Sequence, residues 1–199
     1  MPNTALAFIG GLAAVINTLG LIPYIRDIFK NKTKPERAMW WIYAVLFTVL
    51  FAAQLKTSAG WLLLVTGAYI FSAVFIAILS IKYGYGSFHK RDFISIAVAV
   101  LGLCLWILTD NPLLAILMII VVDAAAFWLT LLKTWKAPHT ETLVAWQAAF
   151  VSAILSLFTV RYWELSVFIY PLYAVAGTAL IVCVIMYRRT KVKEDLVDF

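Results

Sequence analysis

Apolar residues run along the chain in long blocks, each closed by a cluster of charges, a proline or a glycine. Seven blocks stand out, roughly Thr4 to Phe29, Ala38 to Gln54, Ser58 to Lys82, Phe93 to Leu108, Pro112 to Leu132, Leu143 to Val160, and Leu165 to Tyr187. A helix that crosses the hydrocarbon of a bilayer needs about 20 apolar residues, so each block predicts a transmembrane span. The blocks are too long for barrel strands and lack period-two alternation. Composition agrees: of 199 residues, 64% are hydrophobic and 13% charged, more apolar surface than a soluble domain of this size can bury. The first block lacks the basic flank and small-residue cleavage site of a signal peptide. It is therefore expected to stay as the first span.

The net charge of +6 raises the question of nucleic acid, and the placement of the cations answers it. Arg26, Lys30, Lys32, Lys34 and Arg37 follow span one; Lys82, Lys90 and Arg91 follow span three. Lys133 and Lys136 follow span five, and Arg188, Arg189, Lys191 and Lys193 follow span seven. Of the sixteen Lys and Arg, only Lys56 and Arg161 fall on the other side. This asymmetry orients membrane proteins. It predicts an N-terminus outside, a C-terminus in the cytoplasm and a bacterial inner (plasma) membrane, with the basic knots beside the anionic leaflet.

The chain also repeats itself. Laid so that Pro35 meets Pro138, Lys30 meets Lys133 and Tyr43 falls opposite Trp146; one further residue of shift brings Tyr69 onto Tyr173 and Tyr83 onto Tyr187. Span four has no counterpart, and its presence lets both three-span units run the same way through the membrane. The predicted fold is therefore all-α, seven transmembrane helices in a 3+1+3 arrangement. Its parts are a first three-helix bundle (1–82), a loop and linker helix (83–110), a second bundle (111–187) and a basic tail (188–199). Parallel repeats of this kind are a transporter architecture with a site near the midplane, although a repeated bundle can also be purely structural.

Seven spans as three-one-three, a proline near the cytoplasmic end of span one and a short basic loop after it resemble the PQ-loop and SWEET (MtN3-like) transporter superfamily. The stretch IPYIRDIFKNKTKP, Ile22 to Pro35, is similar to its signature, in which Pro-Gln precedes a Lys-rich turn. Tyr24 stands where that signature has glutamine, and Ala126 and Phe127 stand at the second Pro-Gln. Of the four prolines that SWEETs place in spans one, two, five and six, Pro23 alone has a match. The asparagine they carry in the third helix of each repeat is absent, and Tyr69 and Tyr173 lie nearest those depths. The resemblance implies alternating access of a small polar, sugar-like or vitamin-like metabolite, with Pro23 as a hinge. Pro171, which frees a backbone carbonyl in span seven, is the second expected hinge. Two other readings stay open: a Pnu-like vitamin or nucleoside facilitator, and a non-transporting receptor or assembly factor, since KDEL receptors share the fold.

Asp123 is the sharpest candidate for a binding group. An ionisable side chain near the bilayer centre is costly and usually marks a pathway, the alternative being a protonated carboxyl that only ties helices together. Asn17 lies at similar depth and reads equally as a cavity group or as an interhelical hydrogen-bonder. Tyr69 and Tyr173 are related by the repeat, and Tyr170 precedes Tyr173 by one turn; aromatic faces of this kind bind sugars and planar rings. Gln147, polar inside an apolar run, belongs either to a cytoplasmic vestibule or to a single interhelical bond. Trp40, Trp41, Trp61, Trp135 and Trp163 lie near span ends, as an aromatic belt does. Arg26 and Asp27 read as an interfacial snorkelling pair or a gate. Cys104 and Cys183 read as small packing residues, His89 and His139 as loop surface. No metal spacing, phosphate loop or nucleophile beside a base is present. The expected partners are a small-molecule substrate and the lipid bilayer, without nucleic acid or cofactor and with room for a homo-oligomer.

Overall fold

The computed structural model describes residues 3–57, 59–85 and 111–197, with side chains to Lys191. Among these residues six α-helices follow one another: α1 (Asn3–Phe29), α2 (Arg37–Leu55), α3 (Leu62–Tyr83), α4 (Pro112–Lys136), α5 (Leu143–Phe158) and α6 (Leu165–Val197). One 3-10 turn, Pro138–Thr140, joins α4 to α5. Five of the helices are long and apolar enough to cross a membrane; α5, with 16 residues, is shorter. The expected fourth span, Phe93 to Leu108, lies outside the described residues together with His89 and Cys104. Two helices outrun their expected ends, α4 passing Leu132 to reach Lys136 and α6 passing Tyr187 to reach Val197. α3 begins at Leu62 instead of Ser58, because Gly60 takes a left-handed φ of 53° and turns the chain first.

The helix ends follow from local chemistry. α1 carries Pro23 without breaking and stops where Asn31 adopts φ 54°, a left-handed conformation that Asn tolerates. There Asn31 N–H donates to Ile28 O and Lys32 N–H to Asp27 O, both at 2.9 Å, the paired bonds of a Schellman cap. Glu36 then starts α2 by accepting from Met39 N–H at 2.7 Å. Asn111 does the same for α4 from Leu114 N–H at 3.2 Å, with Pro112 in the first turn, where its missing N–H costs nothing.

The helices pack as a closed ring in the order α1, α3, α2, α4, α6, α5 and back to α1. Each triplet has the same internal order, first helix, third helix, second helix. The two seams between triplets are also equivalent, each joining the first helix of one triplet to the second helix of the other. The α2–α4 seam is aliphatic, with Ile42, Leu46 and Leu50 against Ile116, Ile119 and Val122. The α1–α5 seam is close: a Cβ on Gly20 would come within 2.7 Å of the Ala148 methyl. The outer surface is apolar as well. On α1, Phe8, Val15, Leu19, Ile22 and Phe29 are all more than half exposed, a large apolar face that water would not tolerate.

The basic segments gather at one end of the ring. Lys34 N–H donates to Thr140 O at 3.2 Å, Arg37 Nε to Ser80 O at 3.0 Å and Arg188 Nε to Trp135 O at 3.0 Å. At the opposite end Trp61 Nε1 donates to Asn3 Oδ1 at 2.8 Å. The close α1–α5 seam yields a test. Gly20→Val should force the two helices apart and lower stability by about 1–3 kcal/mol, the usual range for overpacking. Gly67→Ala, whose methyl meets nothing within 4 Å, should be neutral or stabilising. Thermal unfolding of the detergent-solubilised protein reads both.

Candidate functional site

All six described helices contribute to one cavity at the centre of the ring, with a volume of about 120 Å³. Asp123 comes from the middle of α4 and is 3% exposed. The Tyr170 hydroxyl of α6 donates to its Oδ2 at 2.9 Å, while its Oδ1 has no protein partner. Across the cavity Asn17 Nδ2 donates to Ser72 Oγ at 2.9 Å, tying α1 to α3. Three further buried polar atoms in the cavity walls lack a protein partner: the hydroxyls of Tyr24 and Tyr173, and Trp40 Nε1. Buried polar groups are nearly always bonded. Their concentration around one cavity makes it the candidate site.

The remaining wall is aromatic. Ring contacts run without a break from Tyr24 to Trp40 (5.6 Å between centroids), Tyr43 (6.0 Å), Phe47 (5.0 Å) and Tyr170 (6.5 Å), ending at Tyr173 (5.9 Å). Tyr69 joins at Phe47 with a spacing of 5.3 Å. On the other side Phe127 meets Trp146 edge to face at 6.5 Å.

Below the cavity, at the basic end, lies a second polar cluster. Lys133 Nζ and Glu141 Oε1 form an ion pair at 2.7 Å, with side chains only 3% and 1% exposed. Glu141 Oε2 accepts from Trp146 Nε1 at 3.0 Å, so the carboxylate also holds a wall of the cavity. Lys133 Nζ donates to Lys34 O as well, and Arg189 donates to the carbonyls of Pro138 and Glu141. Thr142 Oγ1 donates to Asp27 Oδ2 at 3.0 Å, which leaves Thr33 to donate to Thr142 at 2.6 Å. The loop after α1 and the loop after α4, related by the repeat, are thereby bonded together.

Of the residues singled out from the sequence, Asp123, Asn17, Tyr69, Tyr170 and Tyr173 meet at the cavity. Gln147 does not; it lies on the exposed face of α5, because one residue is 100° of helix and the inward position belongs to Trp146. Pro23 and Pro171 lie within continuous helices, at the seventh residue from an end in each case. Trp40 leaves the belt and joins the cavity wall, whereas Trp61, Trp135 and Trp163 are exposed. Asp27 turns to Thr142, and Cys183 is exposed where packing was expected. Sequence reasoning missed Tyr43, Phe47 and Ser72 as wall residues. It also missed Glu141, and it read Lys133 only as an anchor. A signal for Tyr43 existed, since the repeat sets it opposite Trp146. Among the described residues no three His, Cys, Asp or Glu side chains come together as metal ligands do.

An apolar outer face on helices long and apolar enough to span a bilayer makes this a multi-pass membrane protein. No family model, curated protein or solved structure matches the chain.

The ion pair generates a prediction. Breaking a buried pair on one side leaves an uncompensated charge, at a cost of about 3–5 kcal/mol. Glu141→Gln should therefore destabilise by about that amount. The double variant Lys133→Met with Glu141→Leu should recover most of the loss. Chemical or thermal unfolding in detergent measures the difference.

Proposed function

We propose that the chain is a carrier of the PQ-loop/SWEET type, passing a small metabolite through the central cavity by alternating access of its two halves. The observation that carries this reading is the position of the cavity. It lies on the seam between two helix triplets of the same order, is walled by both, and holds the buried atoms Asp123 Oδ1 and Tyr173 Oη without protein partners. The triplets also favour the 3+1+3 plan. α3 and α4 both end among the basic segments, so α3 ends and α4 begins at opposite ends of the ring, as the 3+1+3 plan expects.

In this reading the halves rock about their two equivalent seams. The Lys133–Glu141 pair and the Asp27–Thr142–Thr33 chain form the gate at the basic end, which the charge asymmetry makes the cytoplasmic one. Opening that gate parts the two loops where Thr33 and Asp27 meet Thr142 and Lys34 O meets Lys133, beside the Glu141 that holds Trp146 in the cavity wall. The substrate is small. The cavity that would hold it measures about 120 Å³.

Two measurements test the proposal. With Cys104 and Cys183 removed, single cysteines at positions 32 and 136 should resist an impermeant thiol reagent added outside intact cells, while those at 56 and 161 react; external labelling at position 32 would overturn the orientation. Uptake into proteoliposomes, screened over sugars, vitamins, nucleosides and amines, should find a substrate. Tyr69→Ala and Tyr173→Ala should slow its transport by similar factors, and Trp163→Ala, at 69% exposure, should not. Absence of uptake for every compound that binds would favour a receptor.

A further inference from the structure

We infer that the substrate held in this cavity is a small organic cation, an amine or quaternary ammonium with an apolar body. The inference rests on the carrier reading for its transport and on the cavity walls alone for its chemistry. Asp123 is the one ionisable acid or base among the described wall residues other than tyrosine; no Lys, Arg or His reaches the cavity there. Lys133, the buried base at the gate, is held by Glu141. A carboxylate at this depth is stabilised by a counter-charge, and Oδ1 makes no hydrogen bond to the protein that would compete for one.

The walls around that carboxylate are ring faces and edges, contributed by both halves. Aromatic rings attract a desolvated cation through their quadrupole, and cages of them are the common receptor for quaternary ammonium groups. Trp40, Tyr43, Phe47, Tyr69, Tyr170 and Tyr173 form such a wall through contacts of 5.0–6.5 Å.

The same walls disfavour other classes of solute. A sugar needs a polar partner for nearly every hydroxyl, because an unpaired one is costly in a dry site. Here Asn17 and Ser72 are bonded to each other and Tyr170 is bonded to Asp123. Of the fully buried wall atoms, four keep no protein partner: the hydroxyls of Tyr24 and Tyr173, Trp40 Nε1 and Asp123 Oδ1. An anion would face Asp123 with no cation to hold it, and the carboxylate of a zwitterionic amino acid would meet only neutral donors such as Trp40 Nε1 and the tyrosine hydroxyls.

Binding to the purified full-length protein tests the inference with matched probes. Choline is compared with 3,3-dimethyl-1-butanol, its neutral isostere, with phenyltrimethylammonium as a second cation and glucose as the neutral polyol. Ligand-dependent thermal shift and tryptophan fluorescence should register both ammonium compounds, and neither the isostere nor glucose. Asp123→Asn, which keeps the shape and can still accept from Tyr170, should weaken ammonium binding at least about tenfold. Phe47→Leu should weaken it about threefold or more, while Phe8→Leu, at a ring 71% exposed on the outer face of α1, should change it little.

Glucose binding that survives Asp123→Asn, or no response to either ammonium probe at millimolar concentration, overturns the cation site. Proteoliposome uptake separates this from the carrier reading. Ammonium binding without ammonium uptake leaves the cation site standing and removes the carrier. Uptake of a neutral solute but no ammonium does the reverse.

Discussion

Inside hydrocarbon a polar side chain has no water to turn to, so it must find its partner on a neighbouring helix. Each seam of the ring shows this constraint at work. Asn17 bonds Ser72 between α1 and α3, Thr66 bonds Gln54 between α3 and α2, and Thr130 bonds the Met39 sulfur between α4 and α2. Tyr170 bonds Asp123 between α6 and α4, Arg189 bonds the Glu141 carbonyl beside α5, and Ser152 bonds Ala13 O between α5 and α1. Aliphatic packing alone would let these helices slide or rotate, because lipid is as good a neighbour as leucine. The polar contacts select one rotation for each helix and so decide which side chains face the centre.

Polar groups that the seams leave over collect at that centre. The fold there is nearly two-fold, but the chemistry is not. In the repeat register Gly20 stands opposite Asp123, and Tyr24 opposite Phe127. Gly20 lets α5 approach, whereas Asp123 supplies the cavity's carboxylate. One half therefore brings the charge and the other half brings close packing. Two similarly ordered triplets thus enclose an asymmetric cavity.

The basic end shows how a feature with one evident role acquires another. Lys133 belongs to the cationic set that orients the chain, yet it is buried against Glu141, and Glu141 grips Trp146 from the cavity wall. The pair joins α4 to the head of α5, and through Lys34 O and Thr142 it reaches the loop after α1. A buried ion pair offers little net stability, but it makes the joint all-or-none.

Where the six described helices run was legible from the residues except at some ends, because a backbone in lipid must satisfy itself by helix formation and hydropathy records it. The end of α1 at Asn31, the start of α2 at Glu36 and the start of α4 at Asn111 lie within a residue or two of where charge and proline patterns placed them. Asp123 was legible too, since an acid alone in an apolar run costs too much to be kept as filler. The inward faces were not. These helices are apolar all round, so their periodicity is weak, and Gln147 and Trp146 cannot be told apart as wall residues without knowing how α5 is turned. Neither was the partnership of Lys133 with Glu141, which exists only because the turn at Pro138 folds α5 back. Local sequence determines a helix because its hydrogen bonds close within four residues; the rotation of that helix about its axis is decided by its neighbours, and only the tertiary structure contains them.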